Sequence, residues 1–415
     1  MPFPYEYNPI ADKQKLVDEY VGKTISDLPT PSLIINKTKY TSNCQHMINN
    51  AKSLGVKLRV HVKTHKTYEG TELQLGQFTD RIVVSTMMEA WNIVKSDKIN
   101  DIHYSLPVVR SSIPQYADFA NHVEKFSLML DDKDQVDALV AYRQKHKDVK
   151  PWSVFVKVDQ GTHRAGLEVG DSELASLIAK LLDPEVKQHV QLYGFYCHAG
   201  NSYGVNSESS ARDMLIDEIK QANNAAKLAR KIDPDVKLIL SVGATPTAHA
   251  SESLTQDELI KKLDGDEIFG ELELHAGNYP CCDLQQLATQ CVQAKDISLT
   301  VLAEVVSTYP NRQDHTPGEQ LINAGVLSLA RESSAFEGFG HVVKPSGYGD
   351  WFVGKISQEH GVLYPQRDCK FFPYGTKLRI IPQHSCIAAA NFPYYFIVGE
   401  DDETVVDVWV PFRAW

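Results

Sequence analysis

The first residues that could do chemistry stand at the end of a strand-like run, where His61, Lys63 and Lys66 follow one another closely. Side chains alternate between the two faces of a β-strand, so His61 and Lys63 share a face and Val62 lies on the other. A lysine that faces a protein interior is costly as a cation, and is therefore paired, shifted toward neutrality or used covalently. The alternative is that Lys63 and Lys66 are solvated lysines at a strand end.

A second chemical signal lies near the end of the chain, in Gln383-His384-Ser385-Cys386-Ile387. On a strand, His384 and Cys386 would project in the same direction and could bind one ion. Imidazole and thiolate together are typical Zn²⁺ ligands. The alternative for such a short motif is a buried cysteine beside a polar histidine.

Two loops carry small residues suited to an anion. The segment Ser241 to Thr247, which contains Thr245, follows one predicted strand, and His275-Ala276-Gly277-Asn278-Tyr279 follows the next. Small residues let backbone N–H groups approach a phosphate, and a threonine hydroxyl adds a donor. Each loop alone could be an ordinary turn, but their positions at consecutive strand ends indicate a phosphate site.

Two further segments end predicted strands with polar or aromatic side chains. Tyr196 and His198 share a strand face, and Tyr203 follows shortly after them. Arg164 lies in the glycine-containing loop from Asp159 to Gly166. A buried aromatic strand with one satisfied histidine, and a surface salt bridge for Arg164, are the alternatives.

These residues must be positioned by the elements before them, and from Leu58 onward short β-branched runs alternate with amphipathic segments. Eight such runs predict a parallel (β/α)8 TIM-like barrel, in which chemistry lies at the carboxyl ends of the strands. The alternative is an open, doubly wound sheet. The eight predicted strands start at Leu58, Arg81, Asp101, Lys125, Trp152, Val190, Lys237 and Gly270.

The pattern changes after residue 295, where strand-like runs are separated by Gly- and Pro-containing stretches with little helical periodicity. We therefore expect a barrel over residues 31–295 and a second, mostly β domain over residues 296–415 that carries the His384 and Cys386 pair. Residues 1–30 are expected to pack with the β domain.

Composition narrows the classes of function. The 415 residues carry 42 basic and 53 acidic side chains, a net charge of −11, and no basic run that would bind a nucleic acid. No apolar stretch is long enough to span a membrane. The seven cysteines are scattered and the amino terminus lacks a signal-peptide pattern, so we expect a cytoplasmic protein.

The motifs RVHVKTHKT and VVSTMMEA resemble those of the eukaryotic zinc-dependent D-serine dehydratases, which are fold-type III pyridoxal-phosphate enzymes with an alanine racemase-like fold. The resemblance covers nearly the whole chain and implies that Lys63 forms the Schiff base with pyridoxal 5′-phosphate. Such a lysine must be neutral to attack the aldehyde, and its amine can later take a proton as a base. One departure is Val60, where the family usually has proline, and it alters backbone rigidity more than chemistry.

The resemblance also implies roles for the other residues. Tyr196 would meet the pyridine nitrogen and Tyr203 would lie near the cofactor, while Arg164 would reach the ring oxygen. Thr245, Gly277 and Asn278 would contact the phosphate. His384 and Cys386 would hold Zn²⁺, because D-serine dehydratases carry a His-x-Cys pair where D-threonine aldolases carry His-x-Asp.

The implied reaction is β-elimination of D-serine to pyruvate and ammonia, with D-threonine or β-hydroxyaspartate as further substrates. Family members form homodimers, and we expect the same of this chain, with no nucleic-acid or membrane partner. Three alternatives remain open: a D-threonine aldolase, an amino-acid racemase on the same fold, and a non-catalytic pyridoxal-phosphate carrier. The second domain and its metal pair argue against the carrier, and Cys386 argues against the aldolase.

Overall fold

A computed structural model describes residues 10–263, 267–312 and 315–415. Within these ranges the strands form two nine-stranded sheets, and helices pack around them. In chain order the strands are β1 Ser32–Asn36, β2 Lys57–His61, β3 Arg81–Val84, β4 Asp101–Pro107, β5 Lys125–Leu130, β6 Trp152–Asp159, β7 Leu167–Glu168, β8 Val190–Cys197, β9 Ile239–Val242, β10 Glu271–Ala276, β11 Leu299–Pro310, β12 Gly318–Ile322, β13 Gly340–Lys344, β14 Asp350–Ile356, β15 Gly361–Arg367, β16 Lys377–Pro382, β17 Tyr395–Val398 and β18 Val405–Trp409. The α-helices are α1 Lys13–Tyr20, α2 Lys37–Leu54, α3 Tyr68–Leu75, α4 Met87–Ile93, α5 Ile113–Phe119, α6 Lys133–Lys145, α7 Ser172–Leu182, α8 Pro184–Lys187, α9 Glu208–Ile232, α10 Thr245–Ala250, α11 Gln256–Lys262, α12 Leu284–Ala288, α13 Val326–Leu329 and α14 Ser385–Ala388.

All eight predicted barrel strands form, and they pair in parallel around a closed ring. The ring runs β2, β3, β4, β5, β6, β8, β9, β10 and back to β2, with the short β7 added beside β6. The pairing of β5 with β6 closes the sheet and excludes the open, doubly wound alternative. The predicted (β/α)8 barrel with a second β domain is therefore confirmed.

The second sheet is mostly antiparallel, and it contains one strand that we assigned to the barrel. Strand β1 pairs antiparallel with β11 and parallel with β17, both in the second domain. All five of its residues are buried and its centre is apolar, so it has the same signature as a barrel strand. The boundary expected at residue 31 therefore differs from the structure, in which the barrel begins with α2 and β2.

The segment from residue 10 to β1 lies along the edge of the second sheet. Lys13 of α1 forms an ion pair with Asp407 of β18 at 3.3 Å. The Gly22 N–H donates to the Val405 carbonyl at 2.9 Å, and the Ile25 N–H donates to the Glu403 carbonyl at 3.0 Å. Residues 1–9 of the predicted amino-terminal segment lie outside the described residues.

A buried charge network fills the amino-terminal end of the barrel. The fully buried Arg59 guanidinium donates to Glu273 at 2.5 Å and to Asp101 at 2.8 Å, and the Tyr193 hydroxyl donates to Asp101 at 2.7 Å. Arg81 also donates to Glu273, at 2.8 Å. Paired side chains thus fill the barrel interior at this end, and barrels of this type carry their chemistry at the opposite end.

Candidate active site

The carboxyl ends of the barrel strands surround a cavity of about 410 Å³. Every residue that we expected to hold the cofactor lines it: Lys63, Arg164, Tyr196, Tyr203, Thr245, Gly277 and Asn278. These residues come from five separate stretches of chain, and the barrel brings them together because parallel strands end at the same edge.

The two lysines after β2 have different surroundings. Lys66 forms an ion pair with the fully buried Glu89 at 3.1 Å, and its positive φ of 52° belongs to a turn that the Lys66 N–H closes on the Val62 carbonyl. Lys63 Nζ has no ion pair or hydrogen bond with any residue in the described ranges. Of these two lysines, Lys63 is therefore the one whose amine is available for covalent chemistry.

The histidines around the cavity are neutral. Burial lowers the pKa of His61, His198 and His275 well below the usual value, and nearby cations act in the same direction. His198 Nδ1 donates to the Gly243 carbonyl at 2.7 Å, which leaves its Nε2 without the proton. Neutral imidazoles leave Lys63, Lys157 and Arg164 as the cations that line this cavity.

One wall of the cavity is a stacked pair of rings. The Tyr196 ring lies 3.9 Å from the His275 ring at an interplanar angle of 11°, and burial raises the pKa of Tyr196 so that the phenol stays neutral. His275 Nδ1 contacts Ser241 Oγ at 3.1 Å, but its Nε2 is buried without a partner among the described residues. A polar atom orphaned in a cavity wall indicates a site for a ligand.

The loops after β9 and β10 form the opposite wall. Thr245 begins α10, and its hydroxyl accepts from the Asn278 N–H at 3.1 Å. Gly277 lies so close to the end of β2 that a Cβ there would come within 3.0 Å of the His61 Cβ. Any larger residue would require His61 to shift by a few tenths of an ångström, so glycine suits this close approach to β2.

Arg164 lies on the rim of the cavity, and its loop is held by one carboxylate. Asp159 accepts hydrogen bonds from the backbone N–H groups of Gly161, Thr162 and His163 at 2.9 to 3.1 Å. The Arg164 side chain itself is exposed. No described acidic side chain forms an ion pair with Arg164, so the surface salt bridge that we considered is absent from the described structure.

The predicted His384 and Cys386 pair is brought together, but not by a strand. β16 ends at Pro382, His384 is extended, and Cys386 lies in the first turn of α14, so the strand-based reason for this pair was wrong. Proline ends the strand because it cannot continue the hydrogen-bonded ladder. Although burial opposes the charged form, the neighbouring Cys386 raises the pKa of His384 to about 9.

The same contact acts on the thiol. Burial alone would raise the pKa of Cys386, but His384 and then Lys63 lower it, so that the net shift is downward. Thr64 Oγ1 lies 2.9 Å from Cys386 Sγ, and the Tyr203 ring stacks beside the His384 ring at 6.3 Å. An imidazole next to a stabilised thiolate is a donor set that suits Zn²⁺.

Asp283, which we did not predict, connects the segment of the metal pair with the loop after β10 that contains Asn278. Its buried carboxylate accepts from Asn278 Nδ2 at 2.5 Å, from the Ser385 N–H at 2.8 Å and from the Gln286 N–H at 2.9 Å. An acidic residue beside the apolar run from Tyr279 to Cys282 is a signal that could have identified it.

Lys157 is the other residue that we did not predict. It is a lysine inside the apolar strand β6, and burial lowers its pKa.

Comparison with known proteins gives consistent matches. Residues 35–259 match the family described as alanine racemase, N-terminal domain, and residues 298–398 match the putative serine dehydratase domain. The chain is similar to D-serine dehydratase of Schizosaccharomyces pombe, with 45% identity over 98% of this chain and 96% of that one. It is also similar to D-serine dehydratase of Saccharomyces cerevisiae, with 40% identity over 96% and 99%.

Among solved structures, the chain resembles D-threo-3-hydroxyaspartate dehydratase from Delftia sp. HT23. The TM-score is 0.81 at 25% identity, covering 95% of this chain and 100% of the other. A cysteine-to-alanine mutant of that dehydratase, described as being in the metal-free form, matches equally well at a TM-score of 0.81 and 26% identity, over 95% of this chain and 100% of the other.

Proposed function

The chain belongs to the D-serine dehydratase family, whose members dehydrate D-amino acids, and from this premise we propose that it converts D-serine to pyruvate and ammonia with pyridoxal phosphate on Lys63 and zinc on His384 and Cys386. The observation that carries the proposal is that Lys63 and the metal pair meet at one point. Thr64, the neighbour of Lys63, contacts Cys386, and Lys63 lowers the pKa of the Cys386 thiol.

The first cavity fits pyridoxal phosphate. It offers an unpaired lysine amine, the stacked Tyr196 and His275 rings, and a phosphate-type wall built from Thr245, Gly277 and Asn278. Arg164 stands on the rim as a cation for the ring oxygen. When bound, the cofactor supplies an electron sink for the carbanion formed at the substrate Cα.

Lys63 has two tasks in this proposal. Its amine would hold the cofactor, and with substrate bound a neutral Lys63 Nζ would lie beside the substrate Cα. That nitrogen takes the proton from Cα as general base. Burial lowers the pKa values of the neighbouring His61 and His198, which makes them poor bases and leaves this proton transfer to a lysine amine.

The metal pair sets the fate of the substrate hydroxyl. When bound, zinc supplies a Lewis acid that makes hydroxide a better leaving group. His384 and Cys386 would contribute two ligands. Glu332 Oε2 lies 3.9 Å from His384 Nδ1, but within the described residues no third His, Cys, Asp or Glu forms a group with both ligand atoms, so positions would remain for water and substrate. Asp283 holds the backbone between the two ligands through Ser385.

Two alternatives on this fold remain as outcomes of one experiment. A D-threonine aldolase would give glycine, and an amino-acid racemase would interconvert enantiomers without releasing pyruvate. We propose D-threonine and β-hydroxyaspartate as further substrates, the latter because a similar protein is a D-threo-3-hydroxyaspartate dehydratase.

The purified protein should be assayed with D-serine, L-serine and D-threonine while its metal content is measured. Pyruvate from D-serine but not L-serine is expected, and glycine or L-serine as the product would overturn the proposal.

We further propose that the protein acts as a homodimer in the cytoplasm. All seven cysteines are free thiols, as suits a reducing compartment. No helix within the described ranges has the length and apolar character to cross a bilayer. Light scattering of the purified protein measures the oligomeric state directly, and a single-chain mass would contradict the dimer.

A further inference from the structure

A second cavity, of about 430 Å³, shares Lys63 with the cofactor cavity. It is formed by Ile10 and Ala11, by the turn after β2, by residues between 386 and 395, and by the carboxyl-terminal Pro411, Arg413, Ala414 and Trp415. The tail is held in place because the Phe412 N–H donates to the Lys66 carbonyl at 2.7 Å. Besides Lys63, the cavity contacts Thr64, Lys66, Cys386, Tyr395 and Arg413.

The charge of this cavity is opposite to that of the chain as a whole. Lys63, Lys66 and Arg413 line it and no described aspartate or glutamate does, although the chain carries a net charge of −11. Lys66 is already neutralised by its ion pair with Glu89. The cavity therefore suits an anion, which Lys63 or Arg413 would bind because Lys66 already pairs with Glu89.

Arg413 is the cation without an acidic partner on the carboxyl-terminal side of this cavity. Its Nη1 donates to the Asn391 carbonyl at 2.8 Å, and no carboxylate in the described ranges forms an ion pair with it. The side chain is half-buried. One carbonyl uses one of the five guanidinium donors, so the remaining donors can bind a carboxylate in a bidentate manner.

We propose that Arg413 binds the α-carboxylate of the substrate, an inference that rests on the proposed function. The substrate amine must reach the position of Lys63 Nζ, and its hydroxyl must reach the metal pair. Of the two cavities that meet at Lys63, the second one also contacts Cys386. The hydroxyl thus enters the second cavity, and Arg413 is the cation there, without an acidic partner in the described ranges, that a carboxylate on the same Cα would meet.

The test compares two ligands that differ only in the carboxylate. D-serine and 2-aminoethanol share the amine and the hydroxyl, and each is titrated against the holoenzyme while the absorbance of the bound cofactor is followed. In Arg413→Gln, D-serine binding should weaken roughly 30-fold or more, the loss expected for a charge-assisted pair. Binding of 2-aminoethanol should not change. Arg413→Lys should restore part of the D-serine affinity, since lysine keeps the charge but loses the fork.

Arg143→Gln is the matched control, because Arg143 also donates to backbone carbonyls, those of Val149 and Gln188, but lines neither cavity. It should bind both ligands like the unchanged protein. Equal weakening for D-serine and 2-aminoethanol in Arg413→Gln, or no weakening for either, would overturn the inference.

The two proposals can fail separately. If the unchanged protein binds D-serine but releases no pyruvate, the proposed function fails, whereas the ligand comparison still tests Arg413. If Arg413→Gln releases pyruvate with an unaltered KM for D-serine, only the role of Arg413 fails. Thermal unfolding and cofactor content verify folding, and if Arg413→Gln does not fold, the same comparison with Arg413→Lys decides, since no selective loss for D-serine would then overturn the inference.

Discussion

Thr64 Oγ1 lies 2.9 Å from Cys386 Sγ, although the two residues are 322 positions apart in the chain. Thr64 directly follows Lys63 in the turn after β2, and Cys386 lies in the first turn of α14 in the second domain. The contact therefore holds Cys386, which is proposed to bind the metal, against the chain neighbour of Lys63, which is proposed to be the base. Because the two domains each supply one of them, packing between the barrel and the second sheet sets the geometry of the reaction.

The different surroundings of the two lysines predict which one carries the cofactor. Lys63→Ala should abolish the absorption band of the lysine-linked cofactor and the release of pyruvate, because Lys63 Nζ lines the cavity without an ion pair or hydrogen bond to a described residue, whereas the other lysine of the cavity, Lys157, lies over the Tyr196 ring. Lys66→Ala should keep the band, since Lys66 is paired with Glu89. Absorption spectra of both purified variants test this assignment, and loss of the band only in Lys66→Ala would reverse it.

The metal pair predicts a separation between zinc binding and cofactor binding. Cys386→Ala, or removal of zinc by a chelator, should stop the release of pyruvate but leave the cofactor absorption band, since Lys63 and the phosphate-type wall are unchanged. Cys386→Asp should bind zinc less selectively, because carboxylate oxygen favours harder metals than thiolate does. Metal analysis of each variant measures the loss.

Cys369→Ala is the control for the metal variants, because Cys369 lies in the same domain and its thiol contacts only the carbonyls of Asp350 and Arg367 among the described residues. It should retain zinc and full turnover. Undiminished turnover in metal-free protein would remove zinc from the mechanism.

Much of the fold could be predicted because each barrel strand is a short β-branched run that can be recognised from its own sequence. The eight runs begin and end at turn residues, and their carboxyl ends carry the polar side chains that line the cavity. β1 could not be assigned in this way. Its sequence, Ser-Leu-Ile-Ile-Asn, is equally typical of a buried strand in the barrel or in the second sheet. Only its pairing with the distant strands β11 and β17 places it in the second sheet.

The site was less predictable where it depends on contacts between distant segments. The family resemblance implied a metal pair at His384 and Cys386, but the strand expected to present them ends at Pro382 and a short helix takes its place. Asp283 was not predicted because its partners lie in different domains, Asn278 in the loop after β10 and Ser385 at the start of α14. Lys157 escaped because an inward lysine is recognisable only once the barrel is closed.

Glu218 predicts a pH-dependent stability. It lies fully buried on α9, where it accepts from the Ala199 and Gly243 N–H groups at 2.6 and 3.2 Å, and burial raises its pKa from 4.5 to about 7. The folded protein then binds a proton that the unfolded chain has released, so the free energy of unfolding falls as pH rises from 4.5 through 7. The full loss is about 3 kcal/mol for a shift of this size.

Glu218→Gln keeps the acceptor oxygen but cannot ionise, so its unfolding free energy should lack that decline and exceed the unchanged value at about pH 8, above the raised pKa. Urea unfolding at several pH values measures the difference. Asp217→Asn alters the exposed neighbour on the same helix and should keep the original slope. Identical slopes in Glu218→Gln and the unchanged protein would show that Glu218 is already ionised at low pH.

The charge network at the amino-terminal end of the barrel predicts a large effect on stability without an effect on chemistry. Glu273 is fully buried and bonds both Arg59 and Arg81, so Glu273→Gln leaves buried positive charge with less compensation. Breaking such a pair costs about 3 to 5 kcal/mol of unfolding free energy. Turnover below the unfolding transition should stay unchanged, because the network lies at the opposite end of the barrel from Lys63.

Asp137→Asn is the control. It removes the exposed ion pair with Lys180 and should cost less than about 1 kcal/mol of unfolding free energy. Urea unfolding of both variants, with D-serine turnover measured on the same samples, compares the two effects. An equally small loss in both would mean that Asp101 alone suffices to hold Arg59.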